Sequence, residues 1–153
     1  MKIEQAIKQE KFHDEYHKLF LNLMYTAGWL NIRQIQFFKQ YDLSPQQYNI
    51  LRILRGQHPK PASVNLLIER MLDKMSNASR LVDKLDAKGL VERKQCAVDK
   101  RQVDVLITKK GMKLLEQIDK EIPTLDNMVD GLTKQDAKTM NELLDKMRGS
   151  EDV

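Results

Sequence analysis

The segment from Ser63 to Thr108 limits the possible folds more than any other part of the chain. Ser63 is placed to cap a short helix carrying Leu66, Leu67, Ile68 and Met71. After Leu72-Asp73-Lys74 a second helical pattern begins, and Gly89 closes it where a left-handed residue is wanted. Leu90-Val91-Glu92-Arg93-Lys94 then reads as a strand, and Val103, Val105 and Ile107 alternate along another. The link from Gln95 to Gln102 contains Asp99-Lys100-Arg101 and neither Gly nor Pro, so it forms a long basic hairpin tip. Thr108 is placed to cap the helix that follows. Two short helices joined by a tight turn give a helix-turn-helix outline, here followed at once by a β-hairpin.

The flanks read as helical. Leu19, Leu23, Ala27 and Leu30 recur at helical spacing within the first forty residues, and Phe20, Met24 and Trp29 thicken their apolar side. Ser44 reads as an N-cap with Pro45 at the first helical position, and Gln47 completes a capping box. Tyr48, Ile50, Leu51, Ile53 and Leu54 give this helix its apolar face, and Gly56 and Pro59 are expected to stop it. Beyond the hairpin, Leu115, Ile118, Ile122, Leu125, Val129 and Leu132 alternate at the three- and four-residue spacings of a heptad seam. Pro123 inside that seam is expected to kink or unwind it. Thr133 starts a last helix whose Ala137, Met140, Leu143, Leu144 and Met147 share one side.

Composition removes several classes. The longest stretch without Lys, Arg, Asp or Glu runs from Leu19 to Ile32 and is too short to span a bilayer. The opening residues mix charges and lack the apolar core of a secretion signal. A single cysteine, Cys96, excludes an intramolecular disulfide framework, and the expected location is a reducing cytoplasm. No phosphate-binding glycine loop, nucleophile elbow or paired acid/base motif occurs, so no enzymatic activity is expected. The formal net charge of +4 becomes informative once located. Residues 60–110 hold twelve Lys and Arg against seven Asp and Glu, whereas the remainder holds fourteen against fifteen. The whole basic excess lies in the middle third, as expected of a surface for a polyanion.

Within that third, the helix before Gly89 has two faces. Ala78, Leu81, Val82 and Leu85 cluster on one side, and Ser76, Asn77, Arg80 and Lys84 are expected to project from the other. Arg can fork onto guanine acceptors, Asn can pair with adenine, and Ser and Lys can hold phosphates. Such a polar side is also what any amphipathic surface helix presents. The basic tip alters that balance, because Arg101 beside a major-groove reader can enter the adjacent minor groove. Asp99 is expected to brace the Arg101 guanidinium by a bidentate pair, and Lys100 adds charge to the same tip. Lys109 and Lys110 in the first turn of the next helix oppose its dipole, a cost that a nearby phosphate would offset.

The run from Ser76 to Arg93, with its ending Lys88-Gly89-Leu90-Val91-Glu92-Arg93, then Asp99-Lys100-Arg101 and Thr108-Lys109-Lys110-Gly111, resembles the MarR family of winged-helix transcription regulators. The resemblance extends from about Leu43 to Leu115. It implies a mainly α fold with a small β-hairpin, a winged helix-turn-helix flanked by dimerisation helices. The corresponding parts are an N-terminal dimerisation segment at 1–42, the DNA-binding domain at 43–115 and a C-terminal dimerisation segment at 116–153. It further implies a homodimer on palindromic operators and a repressor released by a small lipophilic effector. The residues implied to contact double-stranded DNA are Ser76, Asn77, Ser79, Arg80 and Lys84 of the helix, and Arg101 of the wing supported by Asp99. Two positions depart from the family pattern. Leu72 occupies a loop position where many members carry Gly, and the first helix lacks the reactive cysteine of the peroxide-sensing members.

Other readings compete. His13 and His17 lie four residues apart, a spacing that can hold zinc on one helix face, but a surface pair is the commoner outcome and no metal is expected. Cys96 has Arg93, Lys94 and Lys100 near it in sequence, which can activate a thiol, although an inert strand cysteine is commoner. The alternative from another class is a metal- or ligand-sensing protein whose winged module mediates protein contacts.

Overall fold

The computed structural model of the chain describes residues 1–149. In chain order the elements are α1 (Ile3–Ala6), α2 (Glu15–Lys39), α3 (Pro45–Gln57), β1 (Ala62–Ser63), α4 (Val64–Arg70), α5 (Ala78–Ala87), β2 (Val91–Gln95), β3 (Val103–Ile107), α6 (Lys109–Asp119), α7 (Ile122–Asp126) and α8 (Lys134–Arg148). They fall into two compact units, Met1–Ile118 and Asp119–Val153.

The expected punctuation recurs at hydrogen-bond level. Ser44 Oγ accepts from the Gln47 amide at 3.1 Å, and the Ser44 amide donates to Gln47 Oε1 at 2.9 Å, closing the capping box that starts α3. Ser63 Oγ accepts from the Leu66 amide at 3.1 Å and starts α4. Gly56 lies inside α3, and His58 is the residue that ends the helix. In α5 the Gly89 amide donates to the Asp86 carbonyl and the Leu90 amide to the Leu85 carbonyl, a Schellman closure, with Gly89 at φ +69°.

The hairpin is part of a larger sheet than the sequence disclosed. Three antiparallel strands run in the order β1-β3-β2, with Ala62 opposite Val105, Val91 opposite Ile107 and Arg93 opposite Val105. Strand β1 has two residues and no alternation to reveal it. Its pairing to the far edge of β3 ties the wing to the segment that opens α4. Ile50, Leu51 and Leu54 of α3, Leu67 of α4, Val82 and Leu85 of α5, Val91, Val105 and Ile107 of the sheet, and Leu115 and Ile118 of α6 form the buried core. Each fully buried side chain of this kind contributes roughly 1.5–3 kcal/mol.

Two helical expectations need correction. The first forty residues are not continuously helical: α1 is a single turn, and α2 begins at Glu15, where Asp14 caps it by accepting the His17 amide at 2.8 Å. The heptad seam is not one helix either. Helix α6 ends at Asp119, Pro123 sits in the first turn of α7, and a 3₁₀ turn at Asn127–Val129 follows. Proline is accommodated at a helix start because its missing amide has no partner to lose there. Thr133 opens α8 through a capping box with Asp136, as its position predicts.

One close approach stands out. A Cβ on Gly111, in the first turn of α6, would overlap the Leu90 carbonyl oxygen and come within 2.8 Å of Ile107 Cγ1. Gly56 by contrast has nothing within 4 Å of the same position. Gly111→Ala is therefore expected to destabilise the chain by about 2–3 kcal/mol. Gly56→Ala is expected to stabilise α3 by about 0.5–1 kcal/mol. Urea midpoints at unchanged slope measure both; equal effects at the two glycines would refute this account of Gly111.

Candidate nucleic-acid interface

Helix α5 is held by its apolar side and offers the other to solvent. Ala78, Val82 and Leu85 are buried, while Ser79, Arg80, Asp83 and Lys84 are exposed. The helix packs on α3, α4 and β2, so three elements fix its orientation. Asn77 and Ser76 are placed differently from the expectation that they project from this face. Asn77 is the N-cap: its Oδ1 accepts the Arg80 amide at 3.0 Å. Ser76 precedes the helix, where its amide donates to the Asp73 carbonyl at 3.3 Å and its hydroxyl helps to lower the pKa of the Asp73 carboxyl. A short polar side chain at a helix start meets an unpaired amide before it meets any ligand, which is why helical projection misplaced both.

The turn before α5 is braced against α3. The Leu72 amide donates to Asn49 Oδ1 at 2.9 Å, Gln46 Nε2 to Asp73 Oδ2 at 3.3 Å, and the Met75 amide to Asp73 Oδ1 at 3.0 Å. The Ser76 hydroxyl, then Gln46, then the Met75 amide hold the Asp73 carboxyl below the ordinary aspartate value. None of these braces was read from the sequence, because Gln46 and Asn49 look like ordinary polar positions of an amphipathic helix.

The wing carries a second correction. Asp99 takes the backbone amide of Arg101 at 2.9 Å, and the side chain of Gln102 lies 3.5 Å from its other oxygen. It shapes the turn that presents Arg101 instead of pairing with the guanidinium. Gln95 Nε2 donates to the Lys100 carbonyl at 3.0 Å and closes the tip from the other strand. Arg93, which the strand pattern gave no role, forms an ion pair with Asp83 and so links β2 to α5. Ser79, Arg93 and Arg101 line one cleft of about 270 Å³ together with Asn65 at the start of α4. Residues of α5 and of the β-hairpin thus converge on one surface.

The remaining candidates lie elsewhere. Lys84 lines a separate groove with Lys39, Gln46 and Leu81. Lys109 and Lys110 are exposed at the C-terminal end of α5, beside Leu90, Lys113 and Leu114. Lys110 Nζ donates to the Lys88 carbonyl at 2.7 Å, so it complements the end of α5 and offsets the dipole cost of its place in α6. The His pair is not a shared helix face. His13 precedes α2, its Nδ1 lies 3.0 Å from Asp14 Oδ2, and His17 Nδ1 accepts the His13 amide at 3.3 Å. Among the described residues, no group of three or more His, Cys, Asp or Glu is placed to hold a metal ion. Cys96 is half-buried just after β2. No described helix is long and apolar enough to cross a membrane.

Known proteins match this chain in sequence and fold. The sequence profile of the MarR family matches residues 41–102. The chain is 25% identical over 131 residues to the HTH-type transcriptional regulator MhqR of Bacillus subtilis, covering 85% of this chain and 89% of that protein. It is 30% identical to the MarR transcription factor of Planctomyces limnophilus, whose crystal structure superposes with a TM-score of 0.68 over 90% of this chain and 98% of that one. The S. aureus MepR–DNA complex, 22% identical, matches the fold with a TM-score of 0.76 over 92% of this chain and all of that one.

The lowered Asp73 carboxyl makes a signed prediction. A carboxylate held low supports the turn above its unfolded pKa and ceases to do so as pH falls through the lower folded value. The Met75 and Ser76 amide resonances should therefore titrate with a midpoint below the ordinary aspartate value of about 3.9. That transition should vanish in Asp73→Asn; a midpoint at or above the ordinary value would remove the brace.

Proposed function

The chain belongs to the MarR family of transcriptional regulators, and on that premise we propose that it acts as a homodimeric, effector-released repressor on palindromic operators. Its family consists of DNA-binding regulators, not enzymes. The observation that carries the proposal is the convergence of Ser79 of α5 with Arg93 and Arg101 of the wing on one cleft, in the most basic third of the chain. Arg80 and Lys84 stand exposed on the same helix as Ser79. In this reading α5 enters the major groove, where Arg80 forks onto a guanine and Ser79 and Lys84 hold phosphates. Arg101 enters the neighbouring minor groove, with Lys100 on the flanking backbone. Asp99, Asn77 and Ser76 act one step back, by fixing the wing turn and the start of α5. Lys109 lies beyond this surface and at most meets backbone phosphate; Lys110 serves the end of α5.

Dimerisation is supported by apolar side chains that the monomer leaves in water. Leu19, Phe20, Met24, Ile32 and Ile35 of α2 are exposed, and so are Met140, Leu143 and Met147 of α8. Stripes of this size mark interaction surfaces. We assign residues 1–42 and 116–153, the last four of which lie outside the described residues, to the two-fold interface and 43–115 to DNA. Two recognition helices would then reach successive major grooves roughly 34 Å apart. The groove of about 670 Å³ beside the end of α5 is lined by Leu90 and Leu114 together with Lys109, Lys113 and Asp42. A small aromatic acid or phenolate matches that combination as the releasing effector, and a cytoplasmic location follows from the role.

Selection of bound sequences from random duplex DNA tests the reading. A symmetric site with strongly salt-dependent affinity is expected; salt-independent binding, or none, would favour a winged module that contacts proteins. On the selected site Arg80→Ala should cost about 1–3 kcal/mol and relax preference at one base pair. Arg101→Ala should weaken binding and flatten the salt slope. Sedimentation at micromolar concentration should give a dimer, and a monomer there would remove the two-fold arrangement.

A further inference from the structure

We infer that Met75 is a specificity-determining residue that reads the 5-methyl group of thymine in each operator half-site. Met75 is 94% exposed and Leu72, on the same turn, is 88% exposed. A lone exposed apolar side chain normally calls for no explanation. Here the backbone beneath it is pinned, through Leu72 to Asn49, through Met75 to Asp73, and through Asp73 to Gln46. The exposed side chain is carried on a turn whose backbone is braced.

Its position gives the exposure a use. Met75 stands two residues before Asn77, the N-cap of α5, and recognition helices of this kind meet base edges through their N-terminal residues. Arg80, three residues after Asn77, is exposed on α5, and Lys74 is exposed on the turn itself beside the Asp73 carboxylate. On the major-groove edges of a duplex, the thymine methyl is the apolar feature among hydrogen-bonding groups. Methionine is unbranched and polarizable, and it can settle against a methyl whose distance varies slightly between sites. Within the DNA-binding reading, on which this inference rests, Arg80 and Met75 divide the work: one selects guanine, the other thymine.

The test replaces thymine by deoxyuridine, one position at a time, across a duplex obtained by selection with the full-length protein. Wild-type affinity should fall about fourfold for each contacted methyl group removed. Met75→Gln, of similar length but polar, should bind the thymine and deoxyuridine duplexes alike at that position. Met75→Leu should retain a difference. A wild-type profile insensitive to every methyl, or one unchanged in Met75→Gln, overturns the inference while leaving DNA binding intact. Failure to bind any duplex in a salt-dependent way overturns the DNA-binding reading as well, so the two failures are distinct.

Discussion

The rest of this structure depends on how the end of α5 is tied to the start of α6. Gly89 turns the chain with positive φ, and the three carbonyls that follow the helix all find donors from residues 108–110. Lys88 receives Lys110 Nζ at 2.7 Å, Gly89 receives the Thr108 hydroxyl at 2.7 Å, and Leu90 receives the Thr108 amide at 3.1 Å. The Thr108 hydroxyl oxygen also accepts the Gly111 amide at 3.1 Å, and Gly111 lets α6 approach the Leu90 carbonyl. One threonine side chain therefore closes one helix and opens another. Because β2 and β3 lie between these residues in sequence, the same joint fixes the base of the wing relative to α5.

That joint controls one end of α5, and polar braces control the other. Asn77, Asp73, Gln46 and Asn49 hold the turn that leads in, and Asp99 holds the wing tip. The Arg93–Asp83 pair adds a tie between them, although as an exposed pair it contributes at most about 1 kcal/mol. The common effect is preorganisation. Side chains that meet a ligand lose less entropy when their backbone is already fixed. Charge placement works alongside this, since the basic excess lies in residues 60–110 while the apolar stripes of α2 and α8 lie outside it.

Legibility varied with the range of the interaction concerned. Ser44, Ser63, Gly89, Thr108 and Thr133 are legible because a cap is satisfied within three or four residues of itself. The core stripe of α5 was equally plain, because its period is local. At Asn77 two local rules compete, projection from the helix face and capping of the helix start, and the backbone amide wins. The same competition acts at Asp99, whose carboxylate takes the nearer Arg101 amide instead of the guanidinium. The break at Asp119–Ile122 was half-read: Pro123 marked it, but a heptad spacing continues through a gap without showing one. Strand β1, the Arg93–Asp83 pair and the Asn49 and Gln46 braces join residues far apart in sequence and left no periodic trace.

The sequence by itself determined the order of the elements, their caps, the apolar side of each helix and the location of the charge. These follow from hydrogen bonds and periodicities that span a few residues. Only the tertiary structure decided which polar side chains remain available to a ligand and which are spent on the backbone. It brought Ser79, Arg93 and Arg101 to one cleft, drew Lys110 onto the end of α5, and left Met75 exposed on a braced turn. The physical reason is competition. A donor or acceptor bonds whichever partner the fold brings nearest, and that partner is defined only when distant segments have met.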